Sequence, residues 1–225
     1  MNIKKTTIAA ITTVSLLTFS LGGQIFAAGG SFKDVDTVNG KEKIISLKDQ
    51  GLIKGVSDTQ FVPGSKVTVA QGIQFISGGL QLSLAAIDFN KAPVASGLFT
   101  HVKDNAWYAE AFINAHYNGV EIPADIDPSK PMTKELFTVL LMQATEKVGN
   151  LPMINIIPTD IADSDQFDPA SQGGIQRSLK YNINTLDAKG NFNPKSEITR
   201  AEAAVMLYNA VEFLKSRADV TPPQS

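Results

Sequence analysis

The sequence predicts an all-α fold built from three tandem helix–loop–helix units that pack on one another. Three observations predict it. The frame Pro-x-x-x-x-Thr occurs three times, at Pro63 to Thr68, Pro128 to Thr133 and Pro194 to Thr199, with the threonines 65 and 66 residues apart. Each threonine opens a run of apolar residues at helical spacing, as in Ala204, Leu207, Val211 and Leu214, so each precedes an amphipathic helix with one stripe to bury. A unit of this size cannot cover its own apolar face, so the copies must stack.

The caps justify the helix starts. Thr199 is a good N-cap, and Glu202 three residues on can reach back to its N–H, a reciprocal capping box. Thr68 with Gln71 repeats the arrangement. Thr133 keeps only half of it, because Glu135 comes one residue too early and Leu136 takes its place.

In chain order, a first unit over residues 29–90 opens at Ser31-Phe32-Lys33-Asp34-Val35. It forms a helix from about Gly40 to Gln50, closed by Gly51. A turn-rich loop runs to Pro63, and the helix capped by Thr68 is weakened at Gly78-Gly79, with Leu80 to Ile87 read as resuming it. The second unit, 91–152, has a helix from Trp107 to about Asn118 that buries Trp107, Ala111 and Ala115, with Phe112 beside them. Its second helix runs from Thr133 to about Val148 with Leu136, Leu140 and Ala144 on one face. The third unit, 153–217, has a short helix from Ile175 to Tyr181 and a long one from Thr199 to Arg217. Residues 218–225 read as a disordered tail.

Composition sets the address. Met1 to Ala28 read as a secretory signal peptide: Lys4 and Lys5, an apolar and threonine-rich run from Ile8 to Leu21, and a small-residue cleavage site after Ala27 or Ala28. No second candidate span follows, so an exported, soluble protein is expected. Cleavage would bring the net charge from −2 to about −4. A mildly acidic surface argues against nucleic acid, which needs a clustered basic patch, and gives little support for anionic lipid. The chain has no cysteine, which excludes disulfides, thiolate metal sites and cysteine nucleophiles.

On these residues the chain resembles the S-layer homology modules of exported bacterial proteins. The first unit keeps Phe32-x-Asp34-Val35, Gly51-Leu52-x-x-Gly55 and Phe61-x-Pro63. The second keeps Phe99, Val102 and Trp107, and the third keeps Thr199-Arg200-Ala201-Glu202 intact. The resemblance covers about residues 31 to 216. It implies a pseudo-threefold helical domain whose inter-repeat grooves bind secondary cell-wall polysaccharide through the carboxylate of a pyruvate ketal on a terminal sugar. It also implies non-covalent anchoring at the cell wall or surface layer, with no cofactor.

Arg200 is the most informative candidate contact. It occupies the first helical position, where the macrodipole favours negative charge, so helix stability does not ask for it. An anion docked there would satisfy both the free N–H groups and the guanidinium; the alternatives are a solvated arginine or a salt bridge to a neighbouring repeat. Lys134 holds the equivalent place in the second repeat and Val69 in the first, so fewer than three competent grooves are expected. Asp34 and Asp163 match the family's opening aspartate and either cap local turns or accept sugar hydroxyls; His101 replaces them in the second repeat. Trp107 is read as core or as an apolar wall under a sugar ring.

Catalysis is not expected. Asp160, Asp163, Asp165 and Asp168 offer paired carboxylates, but they share one turn-rich loop with no apolar run to raise a pKa, so a wall hydrolase is a weak alternative. The same loop lacks the glycine and closing glutamate of a calcium-binding EF-hand. A degenerate scaffold or protein-interaction module without carbohydrate affinity is the stronger competitor.

Overall fold

The computed structural model describes residues 31–152 and 156–218. The expected signal peptide and nearly all of the expected tail lie outside them. Among the described residues there are six α-helices: α1 (Lys41–Asp49), α2 (Val69–Gly79), α3 (Ala109–Tyr117), α4 (Lys134–Val148), α5 (Gln172–Lys180) and α6 (Arg200–Ala218). Among the described residues there is no strand, only isolated bridges between distant segments, so the fold is all-α as expected. No helix among them is long and apolar enough to cross a membrane.

The three capped helices start around one point. Val67 donates its N–H to the Ile198 carbonyl (3.1 Å), Ile198 to that of Met132 (2.9 Å), and Met132 to that of Val67 (2.9 Å). These bonds close a ring of three, and all three side chains are buried beneath it. Each ring residue immediately precedes a capping threonine, so the ring fixes where the three helices begin.

Those beginnings are tied together by backbone. The first two N–H groups of a helix have no partner inside it. Here Val69 and Ala70 of α2 donate to the carbonyls of Lys130 and Pro128, Lys134 and Glu135 of α4 to those of Ser196 and Pro194, and Arg200 and Ala201 of α6 to those of Ser65 and Pro63. Every proline of the repeated frame therefore accepts a bond from the start of another unit's helix. The third N–H of each helix goes to its threonine: Gln71 to Thr68, Leu136 to Thr133 and Glu202 to Thr199. Gln71 and Glu202 return the bond to the cap N–H, completing two boxes, while α4 has the half box its sequence implies.

Beneath the ring lies one core drawn from all the units, including Ile73 and Ile76 of α2, Leu140 and Leu141 of α4, and Ala204 and Leu207 of α6. A smaller cluster of Ile161, Ile175 and Phe192 sits under the third unit's loop. Glu135, out of place for a capping box, is buried instead. Its carboxylate accepts the Asp168 N–H (2.7 Å) and pairs with Lys195 (2.6 Å), joining the start of α4 to the loops of the third unit.

Two expectations are corrected. Leu80 to Ile87 do not resume α2: Gln81 takes a left-handed backbone (φ 53°), and no helix follows until the short turn Ala95–Gly97. The helix expected from Trp107 begins at Ala109, leaving Trp107 in the turn before it with 65% of its surface exposed, so it is not core. Ala111, Phe112 and Ala115 are buried as expected.

Candidate functional site

Two grooves carry the cations that the sequence singles out. The first is a cavity of about 510 Å³ walled by the loop from Gly51 to Val56 and by Gln71, Gln74 and Phe75 of α2, with Trp107 and Arg200 completing it. Residues from all three units meet here. Its charged lining residues are Lys54 and Arg200, with no carboxylate among them.

Arg200 is held at this groove by backbone carbonyls and aromatic rings. Its Nε donates to the Phe61 carbonyl (2.8 Å) and its Nη2 to the Lys54 carbonyl (3.1 Å), while the guanidinium lies over the rings of Phe61 (4.7 Å) and Phe75 (5.1 Å). The side chain is thereby locked flat, and the residue is only 7% exposed. Burial lowers its pKa and nearby Asp34 opposes that shift. Nη1 has no protein acceptor among the described residues, and the side chain lines the cavity. The arginine is neither a solvated side chain nor a salt bridge.

The expectation that an anion would dock on the free N–H groups of α6 is overturned. The Arg200, Ala201 and Glu202 N–H groups are taken by Ser65, Pro63 and Thr199, so the helix start offers no open donor. What remains is the guanidinium itself.

Asp34 and Asp163 are clamps. Asp34 accepts the N–H of Phe61 (3.0 Å) and Val62 (2.7 Å), and Asp163 those of Phe192 (2.8 Å) and Asn193 (2.7 Å). Both hold a loop residue in the left-handed region, Val62 at φ 57° and Asn193 at φ 60°. Asparagine tolerates that conformation; a β-branched valine is strained in it and needs the clamp. With both oxygens on backbone, neither aspartate is arranged as a sugar contact. The second unit has His101 at that place and closes its shorter loop by turns.

Partial burial pushes the Asp34 carboxyl up, but the Phe61 and Val62 N–H bonds and the nearby Arg200 outweigh it, holding the pKa below 3.8. A depressed folded pKa gives stability that is present above the unfolded value and lost as pH falls through the folded one. The melting temperature is therefore expected to stay level from neutral pH down to about 5 and to fall below about 4. Asp34→Asn should lower the neutral-pH value and flatten that acid limb, which thermal melts of both proteins across pH 2.5 to 7 would measure.

Lys134 lines a second cavity of about 600 Å³, with Asn39, Gly40 and Lys43 on one side, Asn184 and Thr185 on another, and Glu202, Val205 and Asn209 of α6. Its ammonium sits over the Phe192 ring (4.6 Å), as Arg200 sits over Phe61. Burial lowers its pKa, against the pull of Glu202, Asp163 and Asp187. At the third equivalent position Val69 is buried and uncharged. The structure thus brings Arg200 and Trp107 together, puts Lys134 in a separate groove, and leaves Asp34 and Asp163 behind the two loops. Sequence reasoning passed over Gln74, whose place on the cavity-facing side of α2, three residues after Gln71, was available from helical spacing.

Comparison with known proteins agrees with the motif. The chain is 30% identical over 185 residues to the exoglucanase XynX of Acetivibrio thermocellus, covering 81% of this chain and 16% of that protein. It is 29% identical over 185 residues to an amylopullulanase of Thermoanaerobacterium thermosulfurigenes, covering 81% of this chain and 10% of that protein. It is 25% identical over 204 residues to the surface-layer 125 kDa protein of Lysinibacillus sphaericus, covering 87% of this chain and 16% of that protein. The chain thus spans between a tenth and a sixth of the length of these relatives. Residues 160–204, which hold the Asp163 clamp, the Phe192 loop and the start of α6, match the S-layer homology domain. The family match thus lies in the third unit, the one that keeps Thr199-Arg200-Ala201-Glu202 intact.

Proposed function

We propose that the chain is a non-covalent cell-wall anchoring module, built from three S-layer homology repeats, whose Arg200 groove binds secondary cell-wall polysaccharide through a pyruvylated terminal sugar. The observation that carries this reading is the Arg200 guanidinium, fixed by two carbonyls and two rings, with Nη1 lacking a protein acceptor among the described residues, at a cavity that no carboxylate lines. A planar, rigid cation suits a carboxylate. Trp107 at the edge of the same cavity offers an apolar face for a sugar ring, and exposed Val56 offers a surface for the methyl of the ketal. The relatives include a surface-layer protein and enzymes named for polysaccharide substrates, which supports a role at the cell surface. The role we propose for this chain is binding without catalysis, after export.

Equilibrium binding of the mature protein to pyruvylated wall polysaccharide tests it. Arg200→Lys keeps the charge but loses the fork, and is expected to weaken binding about tenfold or more. Trp107→Ala, at an exposed position, should weaken it by about tenfold without lowering the melting temperature. Absence of binding, or binding that neither variant changes, would leave the scaffold reading in its place.

A further inference from the structure

The two grooves differ in the sign of their surroundings. The Arg200 groove has two cationic residues and Gln71 at the third position of its wall helix. The Lys134 groove has two cationic residues and Glu202 at that same helical position. Two further carboxylates, Asp163 and Asp187, bear on Lys134. Their oxygens are held by loop N–H groups and by the Asn191 and Asn193 side chains, so they set the field without reaching the cavity. Lys43 donates to the Asn209 side-chain Oδ1 (2.7 Å) and lies over Tyr208. An anion entering this groove would meet one available ammonium and the Glu202 carboxylate, in the field of the two aspartates behind them.

The groove also holds an unmet donor and an unmet acceptor. Lys134 has no hydrogen-bond or ion-pair partner among the described residues. Glu202 uses Oε2 for both of its bonds to Thr199 and leaves Oε1 without a partner among them. Adjacent sugar hydroxyls suit such a pair, since each can donate to a carboxylate and accept from an ammonium. The aromatic platform is missing here. Asn39 stands where Trp107 stands in the other groove, each twelve residues before the left-handed glycine that ends its helix, Gly51 or Gly119.

We propose that the Lys134 groove binds an uncharged, hydroxyl-bearing sugar unit rather than an anion, so that the two grooves read different residues of the wall polymer. This extends the carbohydrate reading of the Arg200 groove to a second specificity. Fragments of the wall polysaccharide, before and after mild acid removal of the ketal, provide the probes. NMR signals of the Asn184 and Asn209 side-chain amides report on the Lys134 groove, and the Trp107 indole N–H reports on the Arg200 groove.

Both fragments are expected to shift the asparagine signals with affinities within about twofold of each other and little dependence on salt. Only the ketal form should shift Trp107. Glu202→Gln keeps the cap, as Gln71 does in α2, and should weaken the ketal-free fragment by about fivefold at the asparagines. Lys134→Met should abolish that response. Asparagine shifts that need the ketal, or none with either fragment, would overturn the proposal. A silent Trp107 beside responding asparagines would sink the Arg200 reading and leave this one standing.

Discussion

Arg200→Met is expected to lower global stability by about 2–4 kcal/mol, before any ligand is considered. Two hydrogen bonds from a charged donor disappear, and the carbonyls of Phe61 and Lys54 lose their partner. Contact with the Phe61 and Phe75 rings weakens with them. These bonds join α6 to a loop about 140 residues earlier in sequence, so the loop carrying half the groove should loosen first. Lys134→Met is the control: Lys134 lies over Phe192 without a hydrogen bond among the described residues, and its loss should change stability by less than about 1 kcal/mol. Urea denaturation of both variants measures the difference. Equal midpoints would mean that Arg200 contributes no structural strut, and its effect on binding would then belong to the ligand contact alone.

That dual role was only half legible in the sequence. The caps were readable because Thr68, Thr133 and Thr199 act on residues three places away, and local bonds leave local signatures. The three capped helices followed from the same spacing, as did the missing half of the α4 box. What Arg200 does was not readable, because its acceptors are backbone carbonyls of Lys54 and Phe61, which carry no residue-type signal. The same holds for the first N–H groups of α6, which looked open to an anion and are closed by Ser65 and Pro63. Pro63, Pro128 and Pro194 were visible as a repeat, but their purpose appears only when each is seen accepting from another unit's helix. Trp107 was placed on the wrong side of a helix boundary by two residues, enough to turn an exposed groove residue into an expected core residue.

Gly55→Ala is expected to disrupt the Arg200 groove and lower stability by about 3 kcal/mol, although Gly55 needs no left-handed backbone. An added Cβ there would lie 2.3 Å from the Gln60 carbonyl oxygen, 2.4 Å from that of Ser57 and 2.6 Å from the Phe32 ring. Two of these neighbours are backbone, and the Gln60 carbonyl already accepts the N–H groups of Val56 and Ser57, so the turn must open to make room. Gly51, four residues earlier in the same motif, is there for a different reason. It has open space around it but a φ of +73°, so Gly51→Ala should lose only about 1 kcal/mol. Gly51→Asn should be close to neutral, because Asn182 occupies the matching position after α5 at φ 55°. Thermal melts of the three variants rank the costs, and saccharide binding locates them. Gly55→Ala should silence the Trp107 response and spare the asparagines of the Lys134 groove, since the loop from Gly51 to Phe61 does not line that cavity. A loss at both grooves would instead mean that the strain spreads through the central ring of Val67, Met132 and Ile198, and that the three helix starts answer as one unit.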